Sequence, residues 1–412
     1  MTYIKKTIFV SFVLIITAAV NSVIPFSIAF AVLADPLNNP GFEDQATAAN
    51  KAYDWQDFGN GYTRSSTKRS GNYGIILENT NANQLSGAYQ RIDLNQTSLK
   101  PVFIGGYVNG NNIKMRSGGY IGATLYAEIV MNDGSIAYWN SISNSGTFSW
   151  RWIGFNTGSI SWINKPISHI FVVPLLGHAT GKAYFDDLKV DEFGPSNQAV
   201  TIMIDDGEDN IYTAAKPVLD KYGLKASVAM VSGEVDNDGF LSKQQLQTLS
   251  ASGWEIVSHS ETHEDLTHMS LSNASEDLQE SQQDLQGIVP NIRNFAYPYG
   301  AYNANLIAAG ASRYRSMRAY ELGDNPQGLF PYDVKVRSVV NTTSSGEVSS
   351  WLQQAKDNKR WEVLVFHGIR NSGDDQYYTT PTNFEAIVKT IVASGVQVVP
   401  YDQGINMFAV SQ

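Results

Sequence analysis

The sequence predicts two folded domains behind an apolar leader: an all-β sandwich over residues 35–193, then a parallel α/β domain over residues 194–412. Three observations carry this prediction. A chain of 412 residues exceeds one ordinary core and suits two domains. Up to about residue 192 the apolar runs are short and alternating, whereas beyond residue 198 continuous apolar runs alternate with helical patterns. Between them, Phe193-Gly-Pro-Ser-Asn-Gln198 concentrates turn formers.

The leader, residues 1–34, opens with Lys5 and Lys6, continues with an apolar stretch from Ile8 to Leu33 and ends in small residues before Asp35. That order predicts an export signal. Its length also suits a retained membrane anchor, although Asn21 and Pro25 interrupt it. In either case the rest of the chain is expected outside the cytoplasm, secreted or attached to the cell surface. Composition agrees: charged residues make up 17% and cysteine is absent, which excludes disulfides, iron–sulfur clusters and thiol nucleophiles. A bound metal must then sit on histidine and carboxylate. A net charge of −10 without a Lys/Arg run excludes nucleic acid as a partner.

Within the first domain, stretches such as residues 120–130 and His169–Leu176 alternate between apolar and polar positions and are separated by Asn, Gly and Ser turns. Many short strands without helical period close most naturally into a two-sheet sandwich or jelly roll. In the second domain, apolar runs are predicted as strands at 199–204, 226–231, 254–258, 294–297, 334–339, 363–366 and 396–400. Helices are predicted between several of them, at 212–221, 275–287 and 382–394. The alternation implies a parallel sheet, open or closed into a barrel, with chemistry at the C-terminal strand ends.

Polar residues stand where that rule predicts. Asp205 and Asp206 follow the first strand, and His259 and His263 lie in Ser258-His-Ser-Glu-Thr-His263 after the third. The four-residue spacing, on a helical turn or a tight loop, lets both imidazoles face one ion. One aspartate completes a site that leaves positions open for water and substrate. Tyr297-Pro-Tyr-Gly300 follows the next strand, and Val363-Leu-Val-Phe-His-Gly368 ends another. Amide cleavage needs a base for water and an acid for the departing nitrogen, which a second carboxylate and a histidine outside the metal set supply. Singly, each has a plainer explanation: Asp-Asp-Gly as a helix cap, His367 as a core histidine. Their joint occurrence at successive strand ends favours chemistry.

In order and spacing these motifs resemble the polysaccharide deacetylases with a NodB-homology domain, carbohydrate esterase family four. The resemblance covers roughly residues 198–405 and implies a distorted (β/α) barrel and a hydrolase that removes acetyl groups from an acetylated polysaccharide. By resemblance Asp205 is the base, and Asp206, His259 and His263 hold Zn²⁺ or another divalent ion such as Co²⁺, Ni²⁺ or Mn²⁺. Tyr299 is then the oxyanion donor through its backbone N–H and His367 the general acid. Tyr297, Pro298 and Val365 fall on substrate-binding positions, Val365 lining the acetyl methyl pocket. Phe295-Ala-Tyr-Pro-Tyr-Gly300 departs from the family by placing Ala296 where arginine often stands, a form associated with deacetylases of poly-N-acetylglucosamine. Arg318 and Arg337 are the two candidates to supply that arginine, and the family's fourth motif is not visible. Acetyl xylan esterase, peptidoglycan deacetylase and a non-catalytic glycan-binding protein are the alternatives.

The ends of the first domain, Asn39-Pro-Gly-Phe-Glu43 and the segment 181–192, resemble jelly-roll carbohydrate-binding modules. That resemblance implies a structural Ca²⁺ on Glu43 and Asp187, with Trp55, Tyr107, Tyr126, Trp139, Trp150 and Trp152 either stacking on sugars or filling the core.

Overall fold

The computed structural model describes residues 36–118, 121–194, 197–373 and 375–411; the expected leader lies outside them. No helix among the described residues is long and apolar enough to cross a membrane.

Residues 56–192 form ten strands. They are β1 (Gln56–Gly59), β2 (Thr63–Ser65), β3 (Gly74–Asn79), β4 (Leu85–Asp93), β5 (Val102–Met115), β6 (Gly122–Met131), β7 (Ile136–Asn140), β8 (Gly146–Asn156), β9 (Ile167–Gly177) and β10 (Ala179–Glu192). Two five-stranded antiparallel sheets result, ordered β1-β4-β9-β6-β7 and β2-β3-β10-β5-β8. Alternation explains their packing: in β6 the odd-numbered Ala123, Leu125, Ala127 and Ile129 are fully buried. They meet Ile75, Leu77 and Phe185 of the other sheet in one core.

Beyond the turn-forming segment the chain builds a closed parallel barrel. Its strands are β11 (Ala199–Ile204), β12 (Ser227–Met230), β13 (Glu255–Ser258), β14 (Asn294–Ala296), β15 (Ser316–Leu322), β16 (Val334–Ser338) and β17 (Trp361–Phe366). They pair in that cyclic order, β11 lying between β17 and β12, and Gln397–Val398 adds to the free part of β11. β11 and β17 are buried at every position because helices cover one face and the barrel interior the other. Residues of one parity, including Met203, Ala229, Val257, Ala296, Val334, Val363 and Val365, fill the interior. The other parity, including Ile202, Val228, Ile256, Phe295 and Leu364, packs under the helices.

Elements differ from expectation at several points, among them β15 and the helix expected at 212–221. β15 is absent from the predicted strands because Ser-Met-Arg-Ala-Tyr-Glu-Leu has no apolar run; pairing with β14 and β16 makes it a strand. The predicted helix at 212–221 begins as a π-turn, Ile211–Ala215, before continuing as Lys216–Lys221. Although strand composition changes between Glu192 and Ala199, sandwich and barrel form one compact unit. Phe103, Trp152 and Phe193 belong to the barrel's hydrophobic cluster. The Trp152 ring lies 5.0 Å from Phe330 and 6.2 Å from Tyr332, and Asn156 donates to the carbonyls of Gln327 and Gly328.

Candidate active site

The interior parity runs up each strand and emerges at the barrel mouth as polar side chains. Thr201 and Met203 lead to Asp205, Val257 to His259, Val363 and Val365 to His367, and Arg318 stands inside β15. A cavity of about 400 Å³ at this mouth is lined by all four, with Asp206, His263, Tyr297 and Tyr299.

Asp205 is 3% exposed, and its backbone N–H donates to the Phe366 carbonyl across the β11–β17 pair. Its Oδ2 receives Nη2 of Arg318, itself 2% exposed, at 2.5 Å. Of the two arginines considered, the structure places Arg318 on the aspartate. Arg318 pairs in register with Ala296, so the guanidinium missing from β14 comes from the strand beside it. Arg337 has the outward parity and lies 3.8 Å from buried Glu362 and over the Trp351 ring.

Asp206 adopts φ 71°, a left-handed conformation. Its Oδ1 lies 3.5 Å from His259 Nε2 and 3.4 Å from His263 Nε2. Burial pushes the Asp206 pKa up, but the two imidazoles outweigh it and hold the carboxyl well below its ordinary range. The Asp206 carboxylate in turn raises the His263 pKa, against the opposing effect of burial.

The histidine pair sits on a tight loop rather than a helical turn, with Ser260 and His263 at positive φ. Asp277, 4% exposed on the helix Leu271–Gln286, holds that loop by accepting from the backbone N–H of Glu261 and Thr262 and from the Thr262 hydroxyl. His259 is oriented by Nδ1, 2.8 Å from the Ala296 carbonyl. A carbonyl can only accept, so Nδ1 carries a proton and Nε2 is the nitrogen directed at Asp206.

After β14 the chain turns through Tyr297-Pro-Tyr-Gly300. Tyr299 has φ 57° and is 66% exposed, its ring 5.0 Å from that of His263. Gly300 permits the turn: it has φ 66°, and a Cβ there would lie 2.1 Å from the Tyr320 Cβ. Tyr297 is fully buried, its hydroxyl donating to the Tyr332 carbonyl at 3.3 Å. At the end of β17, buried His367 Nδ1 has no hydrogen-bond partner among the described residues, and the ring lies 5.1 Å from that of Tyr377. Glu208 and Arg370 close the rim with an ion pair, and Asn210 Oδ1 accepts from the Ile369 N–H at 2.8 Å.

Not every predicted residue reaches the cavity. Pro298 is buried within the turn, where its fixed φ shapes the backbone. Val365 is fully buried one inward position below His367, in the interior layer rather than on the cavity wall. In the sandwich, Glu43 Oε1 accepts from the N–H groups of Asn72 and Tyr73. Asp187 is engaged by Arg69 and the Ser70 hydroxyl. These donors engage one oxygen of Glu43 and both oxygens of Asp187. Trp55 and Trp152 are core residues, whereas Trp139 is exposed. Asp277, Glu208, Arg370 and the exposed Trp162 were not singled out by their sequence patterns; Asp277 alone had a signal, a charge on the apolar face shared with Ala274, Leu278 and Ser281.

The donor set fits a divalent ion. Asp206, His259 and His263 each offer one ligand atom within 4.8 Å of the others. One anionic oxygen and two imidazole nitrogens form a three-ligand set of the catalytic kind, without sulfur.

Comparison with known proteins agrees with this location. Residues 194–314 match the family model described as polysaccharide deacetylase. The poly-β-1,6-N-acetyl-D-glucosamine N-deacetylase of Staphylococcus epidermidis is 33% identical over 129 residues, 27% of this chain and 44% of that protein. YxkH of Bacillus subtilis, provisionally named a polysaccharide deacetylase, is 28% identical over 116 residues, 28% of this chain and 42% of that protein. The chain thus spans less than half the length of these relatives. Among solved structures, a family 4 acetyl xylan esterase from Clostridium thermocellum shares 18% identity with a TM-score of 0.38, covering 50% of this chain and 90% of that one. Residues 194–314, which carry Asp205, Asp206, His259, His263 and Tyr299, are thus the part of the chain that is similar to polysaccharide deacetylases.

Proposed function

We propose that the chain is an exported, metal-dependent deacetylase of a polysaccharide, acting on N-acetylglucosamine units. The observation that carries this reading is the placement of the Arg318-held Asp205 beside the Asp206, His259 and His263 set in one cavity. A divalent ion such as Zn²⁺ on these three ligands would act as a Lewis acid, polarising the acyl oxygen and lowering the pKa of water from about 15.7 to about 7.

The chain's own residues supply the rest. Asp205, fixed by Arg318, takes a proton from the attacking water as the water oxygen bonds to the acyl carbon. The Tyr299 backbone N–H, presented by the left-handed turn, donates to the developing oxyanion. His367 protonates the amide nitrogen as the C–N bond breaks, so acetate and a free amine leave. The buried but unpartnered Nδ1 of His367 suits an imidazole whose other nitrogen faces the cavity.

The preference for a β-1,6-linked polymer rests on the Staphylococcus epidermidis relative and on Phe295-Ala-Tyr-Pro-Tyr-Gly300. Acetate release from β-1,6- and β-1,4-linked N-acetylglucosamine oligomers tests it. Faster release from the β-1,6 series is expected; release confined to O-acetylated xylan would replace this substrate with an ester.

A further inference from the structure

A second cavity, of about 300 Å³, opens where the sandwich meets the barrel. Volumes of this size fall at the lower end of small-ligand pockets. Its sandwich wall carries Trp139, 37% exposed, whose ring stands 5.2 Å from that of Trp162, 53% exposed. Two indoles left in water at the edge of a cavity are an unused apolar surface of the kind that receives a ligand. The barrel wall carries two carboxylates, Glu321 and Asp333, and one ammonium, Lys335. Lys335 Nζ is anchored on the Ser159 carbonyl at 3.0 Å and lies 3.7 Å from Glu321. Two carboxyl groups thus face a single ammonium. Burial, with the nearby Glu321 charge, pushes the Asp333 carboxyl up to about 7 against the opposing Lys335 charge, so that an added cation would draw it into its ionised form.

Side-chain contacts link the wall of this cavity to that of the candidate active site. Tyr302 donates to Glu321 at 3.1 Å and stacks its ring on Tyr297, which lines the catalytic cavity, at 5.3 Å. On β15, Tyr320 faces the catalytic cavity and Glu321 the junction. We propose that the junction cavity is a glycan subsite for an already deacetylated, ammonium-bearing sugar of the polymer whose acetylated unit occupies the catalytic cavity. The indoles hold the sugar faces, and Glu321 with Asp333 receives the ammonium. The inference rests on the proposed deacetylase reading for its ligand. It makes the reaction's product units a handle for the next turnover.

The test is calorimetric titration of the full chain with β-1,6-linked hexamers of glucosamine and of N-acetylglucosamine. The glucosamine hexamer is expected to bind roughly tenfold more tightly. The double variant E321Q/D333N should erase that preference, and W139A and W162A should each weaken both ligands. Acetate release from an N-acetylglucosamine dimer, too short to span both cavities, should stay at the wild-type rate in all of them. Equal affinity for the two hexamers, or wild-type binding by the variants, overturns the inference. If charge-dependent binding through this cavity is found but no substrate releases acetate, the deacetylase reading fails and the subsite stands. If acetate is released but the variants bind as wild type, only the subsite fails.

Discussion

Replacing Arg318 with methionine keeps much of the side-chain volume and removes the charge that Asp205 faces at 2.5 Å. Both groups are almost fully buried, at 2% and 3% exposure, so water cannot take the guanidinium's place. Breaking a buried pair from one side costs about 3–5 kcal/mol, mostly because the remaining charge is stranded. For a barrel of this size each kcal/mol lowers Tm by roughly 2–4 °C, so a fall of about 6–20 °C is expected. Activity should fall by about 10²–10⁴, the usual contribution of a positioned base. The double variant D205N/R318M strands no charge and should regain most of the stability while remaining inactive. Calorimetric Tm and acetate release on the four members of this cycle test the argument. Additive stability losses in the double variant, or a fully active R318M, would refute the claim that the two residues act as one unit.

Other parts of the structure give independent predictions. Asp277→Asn weakens the clamp on the loop between His259 and His263 without touching the ligands, and should lower zinc affinity about 10-fold or more; titration with a competing chelator reads this. Trp152→Ala removes the ring packed between Phe103, Phe330 and Tyr332 and should destabilise the chain by about 3–5 kcal/mol, measured by urea unfolding with sandwich and barrel probes. Asp333 has a folded pKa of about 7, above its unfolded value of about 3.9, so the folded state binds the proton more tightly. Its contribution to stability is therefore complete below about pH 4 and lost as pH rises through about 7. The Tm difference between wild type and D333N should change across that window, and a constant difference would remove Asp333 from the account.

Much of the barrel and most of the site were legible because each signal was local. β11 and β17 are uninterrupted apolar runs, and the inward parity that buries Met203, Val257 and Val365 continues directly into Asp205, His259 and His367. The arginine was legible only as an alternative. Val336-Arg337 sits in an apolar strand pattern, whereas Arg318 lies in β15, where Arg318 and Glu321 break up the sequence and leave neither an apolar run nor a period of two. What distinguishes them is the register that sets Arg318 opposite Ala296, a contact between residues 22 apart that no local pattern encodes. Val365 and Pro298 fall on motif positions but lie beneath the cavity surface, because motif spacing fixes the strand and not the depth at which a side chain meets solvent. The expected calcium ligands stand at the matching ends of the sandwich, where Arg69 reaches Asp187 and backbone donors reach Glu43 Oε1. The junction cavity depends on two folded halves meeting, and neither half's sequence announces it.

The central claim is that Asp206, His259 and His263 hold an ion required for deacetylation by the Asp205–Arg318 pair. It is tested most directly by acetate release from a β-1,6-linked N-acetylglucosamine oligomer by the purified chain, before chelation, after chelation and after zinc return. The account predicts release, its loss on chelation and its recovery with one equivalent of zinc, with no recovery in His259→Ala at the same concentration. Release that survives complete chelation, or recovers equally in His259→Ala, would contradict it.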